Sequence, residues 1–142
     1  MLTTGDLMTI ANTTVLIAAL MPVFTIGLAK ASMAGKKRNE GGYDNNNPRD
    51  FAASQDGWRA RAVAAQNNSF EALPLFIFAV LAAQMAGIDQ ARTDLLAMAF
   101  IGARIIYTAL YLANVAALRT VVWCIGMGLC IAIFSPTISA IF

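Results

Sequence analysis

Apolar residues fall into four long blocks, separated by one polar interval and two short breaks. The blocks run from Leu7 to Met33, about Trp58 to Ala86, about Ala91 to Ala116 and about Leu118 to Phe142. A helix needs roughly 20 apolar residues to cross a bilayer. The spacing therefore predicts four transmembrane helices. Gly87-Ile88-Asp89-Gln90 reads as a turn, and the break before Leu118 is shorter still. Connections that short make neighbouring helices antiparallel. Pro22 is expected to kink the first span, which membranes tolerate when neighbours satisfy the freed carbonyl. The first block has no basic segment before it and is too long for a signal-peptide core, so it is read as a retained helix.

The polar interval spans residues 34–57. It is rich in glycine and asparagine and contains Lys36-Lys37-Arg38. It reads as a solvated loop whose charges set topology. Lys30, Lys36, Lys37, Arg38, Arg49, Arg59 and Arg61 flank it, and Arg119 lies at the third-to-fourth junction on the same side. Only Arg92 flanks the second connection. The positive-inside rule then places the first and third connections in the cytoplasm and both termini outside.

Composition agrees with this reading. Hydrophobic residues make up 58% of the 142 residues and charged residues 13%, with a mean hydropathy of +0.63. The charged share is about half that of a soluble domain. Residues 1–142 are thus expected to form one all-α integral membrane domain, a four-helix bundle in contact with lipid. No nucleic-acid partner is expected. Cys124 and Cys130 share one apolar block and read as packing residues. With no histidine in the chain, no metal site is expected.

Candidate chemistry sits where polar residues enter the apolar blocks. The second block opens with Arg59, Arg61, Gln66, Asn68 and Glu71. At 100° per residue, Arg61, Asn68 and Glu71 lie within about a quarter turn of one another. The arginines alone are explained equally well by snorkelling to headgroups. Asn68 and Glu71 lie deeper, and polar groups at such depth mark sites. In the third block, Arg104, Tyr107, Tyr111 and Asn114 form a second stripe, followed by Arg119. Arg104 needs a partner, and Glu71 is the acidic residue placed within the membrane. A Glu71–Arg104 contact is therefore expected, either as structural glue or as part of a site. The two stripes predict a pocket lined by Arg61, Gln66, Asn68, Glu71, Arg104, Tyr107, Tyr111 and Arg119. Arginines suit carboxylates, Glu71 an ammonium, and Asn68 either a donor or an acceptor.

Arg61 through Phe76, with Asn68-x-x-Glu71 followed by Pro74 and Phe76, resembles the second helix of the MAPEG family. These are the membrane-associated proteins in eicosanoid and glutathione metabolism. Arg104-x-x-Tyr107-x-x-x-Tyr111 resembles its third helix, the later Arg119 resembles an arginine beyond that helix, and the four-span layout resembles its small bacterial members. The resemblance implies a homotrimer with glutathione at the cytoplasmic side of the protomer interface. It implies that Asn68 and Glu71 hold the glutathione backbone, that Tyr107 and Tyr111 contact ligand, and that Arg119 stabilises a catalytic thiolate. One position departs from the pattern. Enzymatic members carry an arginine four residues before the asparagine, and this chain has Ala64, with Arg61 one turn earlier on the same face.

Three functions are then in view. The first is a glutathione-dependent transferase or peroxidase acting on lipophilic small molecules. The second is a member without chemistry that binds a lipid or an anionic metabolite. The third is a small four-helix exporter, which would need an acidic residue in the first helix; none lies between Asp6 and the loop.

Overall fold

A computed structural model describes residues 9–139. Leu7, Met8 and residues 140–142, assigned to the outer spans by their hydropathy, lie outside the described residues. The described residues form four long helices, α1 (Ile10–Ala31), α3 (Gly57–Met85), α4 (Gln90–Leu112) and α5 (Ala116–Ser139), and one short helix, α2 (Pro48–Ala53). Each long helix is long and apolar enough to cross a bilayer. α3 is central and packs against all three of the others, while α1 and α5 each also pack on α4.

Residue size, more than polarity, separates inside from outside. The buried face of α3 reads Ala62, Ala65, Ser69, Ala72, Phe76, Ala79 and Ala83, spaced alternately by three and four. That spacing is one helical seam, and small residues let backbones approach closely. Large residues such as Leu16, Phe24, Leu28, Phe78, Leu95 and Ile131 point outward instead. Lipid tails are as apolar as leucine, so large side chains lose nothing by facing them. The centre is filled by Phe76 of α3 stacked on Phe100 of α4, with ring centroids 4.0 Å apart. Cys130 is buried, as a packing residue should be, but Cys124 is exposed on α5, so the packing reading fails for it.

The helix ends set the lengths. α3 stops at Gly87, whose φ of 67° suits glycine. Ile88 N–H then donates to Ala83 O at 2.9 Å. α4 stops in the same way at Asn114, with φ 62° and Val115 N–H donating to Leu110 O at 2.9 Å. Asparagine tolerates this left-handed position. Asn114 therefore leaves the helix, and the expected stripe ends at Tyr111. At the opposite end α1 is tied to two neighbours. Asp94 Oδ1 of α4 accepts from Ala11 N–H at 2.8 Å, and Gln84 Nε2 of α3 donates to Thr9 Oγ1 at 3.0 Å.

The polar interval is more than the expected solvated loop. It holds a 3₁₀ turn at Arg38–Glu40 as well as α2. Phe51 is buried and meets Tyr43 edge-on, and Lys30 Nζ donates to the Tyr43 hydroxyl at 3.1 Å. Asp44 accepts from the Asn46 backbone N–H and pairs with Arg38. The Asn46 bond, helped by Arg38 and Asn47, holds the Asp44 carboxyl below its usual range. Apolar and polar anchors thus fold a segment that composition alone marks as open.

α5 contains Pro136, which has no N–H to offer the carbonyl of Ala132. Arg92 Nη2 of α4 supplies the missing donor at 2.7 Å. In the sequence Arg92 reads only as a topogenic charge. Arg92→Leu should leave this carbonyl with only the longer bond from the Ser135 hydroxyl, at 3.3 Å, and lower stability by about 0.5–1.5 kcal/mol. Adding Pro136→Ala should recover part of that loss by restoring the helical N–H. Thermal unfolding of the three proteins in detergent checks both steps.

Candidate functional site

The site is organised around Arg104, which α4 carries into the interior, where it is only 4% exposed. Its Nη2 donates to Asn68 Oδ1 at 3.0 Å and to Ser69 Oγ at 3.1 Å, both on α3. Ser69 passes its own hydrogen to Ala65 O at 2.9 Å. Because Asn68 Oδ1 accepts from Arg104, its Nδ2 is left to donate, and it reaches Glu71 Oε2 at 3.4 Å.

The expected Glu71–Arg104 contact does not form. Asn68 and Ser69 take the guanidinium, and Glu71, a turn further along α3, is exposed. Adjacent polar residues on the facing helix shield the arginine before the carboxylate can reach it. Glu71 is linked by hydrogen bonds to Arg104 through the Asn68 amide.

Four of the expected residues do converge. Asn68, Tyr107, Tyr111 and Arg119 line a cleft of about 230 Å³ with Thr120 and Trp123. Two tyrosine rings stand between two guanidinium groups, Arg104 behind the cleft and Arg119 in it. Arg104 Cζ lies 4.4 Å from the Tyr107 ring centroid, and Tyr107 meets Tyr111 edge-on with centroids 5.6 Å apart. The Arg119 guanidinium then lies 4.0 Å over the Tyr111 ring. This cation–π contact holds Arg119 in the cleft wall without neutralising it. Among the described residues Arg119 has no acidic partner within 4.0 Å. It also lies in the first turns of α5, where the helix end adds positive potential. The cleft is therefore suited to an anion.

The other expected residues lie elsewhere. Arg104 sits behind the cleft and does not line it. Arg61 Nε donates to Leu112 O at 3.0 Å and caps the end of α4. Arg59 is held by Gln55 and Asp56 at the start of α3. Gln66 lies two residues from Asn68, about 200° around the helix. It lines a second cleft of about 340 Å³, with Lys30 of α1 and Arg49 of α2. Thr120 and Trp123 are cleft residues that the sequence pattern did not single out. Trp123 follows Arg119 by four residues, so the helical period of the fourth block was enough to find it. Ser69 escaped notice because a lone serine in an apolar helix gives no pattern.

The family model described as MAPEG family matches residues 10–138, nearly the whole chain. No curated protein and no solved structure is detectably similar to it.

The network separates two neighbouring polar residues by their energetic roles. Asn68→Leu should leave a guanidinium donor of Arg104 buried and unpaired, costing about 1–3 kcal/mol. Glu71→Ala removes an exposed group and should stay within about 0.5 kcal/mol of the parent. Thermal unfolding in nanodiscs distinguishes them, and a Glu71→Ala loss as large as that of Asn68→Leu would contradict the arrangement.

Proposed function

This chain belongs to the MAPEG family, an integral, multi-pass membrane family, and on that premise we propose that it is a glutathione-dependent transferase or peroxidase acting on lipophilic electrophiles. The observation that carries this reading is the uncompensated Arg119 beside Asn68, Tyr107 and Tyr111 in one cleft. Glutathione, when bound, supplies a thiol nucleophile. Arg119 favours the thiolate over the thiol by its fixed positive charge. The Tyr111 hydroxyl offers a neutral hydrogen bond, which is the weaker aid. Asn68 presents donors because Arg104 occupies its oxygen. Glu71, exposed and adjacent to Asn68, suits an ammonium. The cleft lies at the end of the bundle that the basic residues assign to the cytoplasm.

A homotrimer completes this reading. Gln66 and Lys30 line one face of the protomer, and Asn68 and Arg119 another. A ring of copies joined by different faces brings the two together. Lys30 and Gln66 of one copy then reach toward the cleft of the next, restoring a role in ligand binding for Gln66.

A second reading is a protein of the same fold that binds a lipid or an anionic metabolite without chemistry. It draws on the absence of an arginine from the second-helix pattern. Ala64 stands at the position that the family resemblance assigns to an arginine, and Arg61, the nearest substitute, already donates to Leu112 O.

Mass measurement in nanodiscs should give three copies of the chain; a monomer would leave Gln66 and Arg119 in separate clefts. Millimolar glutathione should bind the wild type and show the ultraviolet absorbance of a thiolate. Arg119→Ala should keep the fold and lose that absorbance, with conjugation of a model electrophile slowed about 100- to 1,000-fold. Tyr111→Phe should slow it less. No glutathione binding by the wild type would turn the assignment to the second reading, and an unimpaired Arg119→Ala would remove Arg119 from the chemistry.

A further inference from the structure

Behind the cleft, Arg104 has more donors than partners. Both of its hydrogen bonds leave from Nη2. Its Nε and Nη1 make none among the described residues, although the residue is only 4% exposed. Idle donors at such depth are costly unless something accepts from them.

A cavity of about 10 Å³ adjoins this side chain, between α1, α3 and α4. It is lined by Ala18, Met21, Ser69, Leu73, Phe100 and Arg104. That volume is about one water and too small for any organic ligand. Ala18 brings an acceptor with the opposite problem. Pro22 lies four residues further on and has no N–H, so the Ala18 carbonyl lacks its helical donor. Ala18 is itself buried, so bulk solvent does not supply one. Arg104, with surplus donors, and Ala18, whose carbonyl is short of a donor, thus border the same small hole. At the other end of the bundle the same deficit is met directly, by Arg92 on the carbonyl that Pro136 frees. Arg104 is already committed forward to Asn68 and Ser69.

We propose that one ordered water occupies this cavity, accepts an N–H from Arg104 and donates to the carbonyl of Ala18. Its second hydrogen faces Ser69 Oγ, whose own hydrogen goes to Ala65. Three hydrogen bonds are the usual number for a buried water. The water joins the kink of α1 to Arg104, and through Asn68 to the wall of the cleft. The link holds whatever ligand the cleft takes.

Pro22→Ala tests it, because alanine returns a helical N–H to the Ala18 carbonyl. A structure that resolves ordered solvent should show a water between Arg104 and Ala18 in the wild type. The same peak should be lost in Pro22→Ala. An empty cavity in the wild type overturns the proposal, as does an unchanged water in the variant. A double-mutant cycle in nanodiscs gives a second readout. Pro22→Ala should raise the unfolding temperature when Arg104 is replaced by Met, since a helical bond is gained and no bridge is lost. With Arg104 present the gain should shrink or reverse. Equal shifts in both backgrounds would show that the two sites are independent and would overturn the link. Arg104→Gln replaces Arg104→Met in the cycle if the latter does not fold, and the density measurement needs neither.

Discussion

A guanidinium buried among membrane helices must find hydrogen-bond acceptors close by, and much of this structure depends on how Arg104 finds them. Polar groups at membrane depth have no bulk water to fall back on. Arg104 is answered by Asn68 and Ser69 of α3 at 3.0 and 3.1 Å. Those two bonds join α4 to α3. They also turn the Asn68 amide so that its nitrogen faces outward, toward Glu71. The same side chain supports the Tyr107 ring, which starts the ladder leading to Arg119. One buried charge thus orients both the hydrogen-bonding wall of the cleft and its aromatic wall.

The close approach that this requires comes from alanine. The buried face of α3 is mostly Ala62, Ala65, Ala72, Ala79 and Ala83, with Ser69 the small polar member of the same seam. A bulkier seam would hold α4 too far away for Arg104 to reach Ser69. Small residues inside and large ones toward lipid are an arrangement available only where the surroundings are as apolar as the core. Helix-interior prolines obey the same demand for paired polar groups. Each removes a donor, and at Pro136 a neighbouring arginine restores it across the helix boundary.

The chemistry of the cleft comes from what Arg119 lacks. Stacked on Tyr111 and without an acidic partner among the described residues, it keeps its charge available. Arg61 and Arg59, nearly as prominent in the sequence, are engaged by a helix end and by local acceptors. An arginine that caps a carbonyl is partly withdrawn from anion binding, whereas one that lies on an aromatic face is not.

Block lengths alone determined the four spans, because a bilayer demands a minimum run of apolar residues whatever the neighbours do. Helical periodicity determined that Tyr107 and Tyr111 share a face, and the Asn68-x-x-Glu71 and Arg104-x-x-Tyr107 patterns were legible as marks of a family. Only the tertiary structure decided which partner Arg104 takes, which cleft Gln66 enters, and that Arg61 turns to Leu112. The reason is physical. In lipid every face of a helix is apolar, so hydropathy announces a span but says little about its rotation or its height beside the next one. Those two quantities decide whether Glu71 or Asn68 meets a buried arginine, and they are set by the fit of one alanine seam against its neighbours. Local chemistry at the ends was similarly hidden. Asn114 reads as one more polar residue of a stripe until its left-handed backbone ends the helix, and Phe51 and Tyr43 read as loop residues until they pack together.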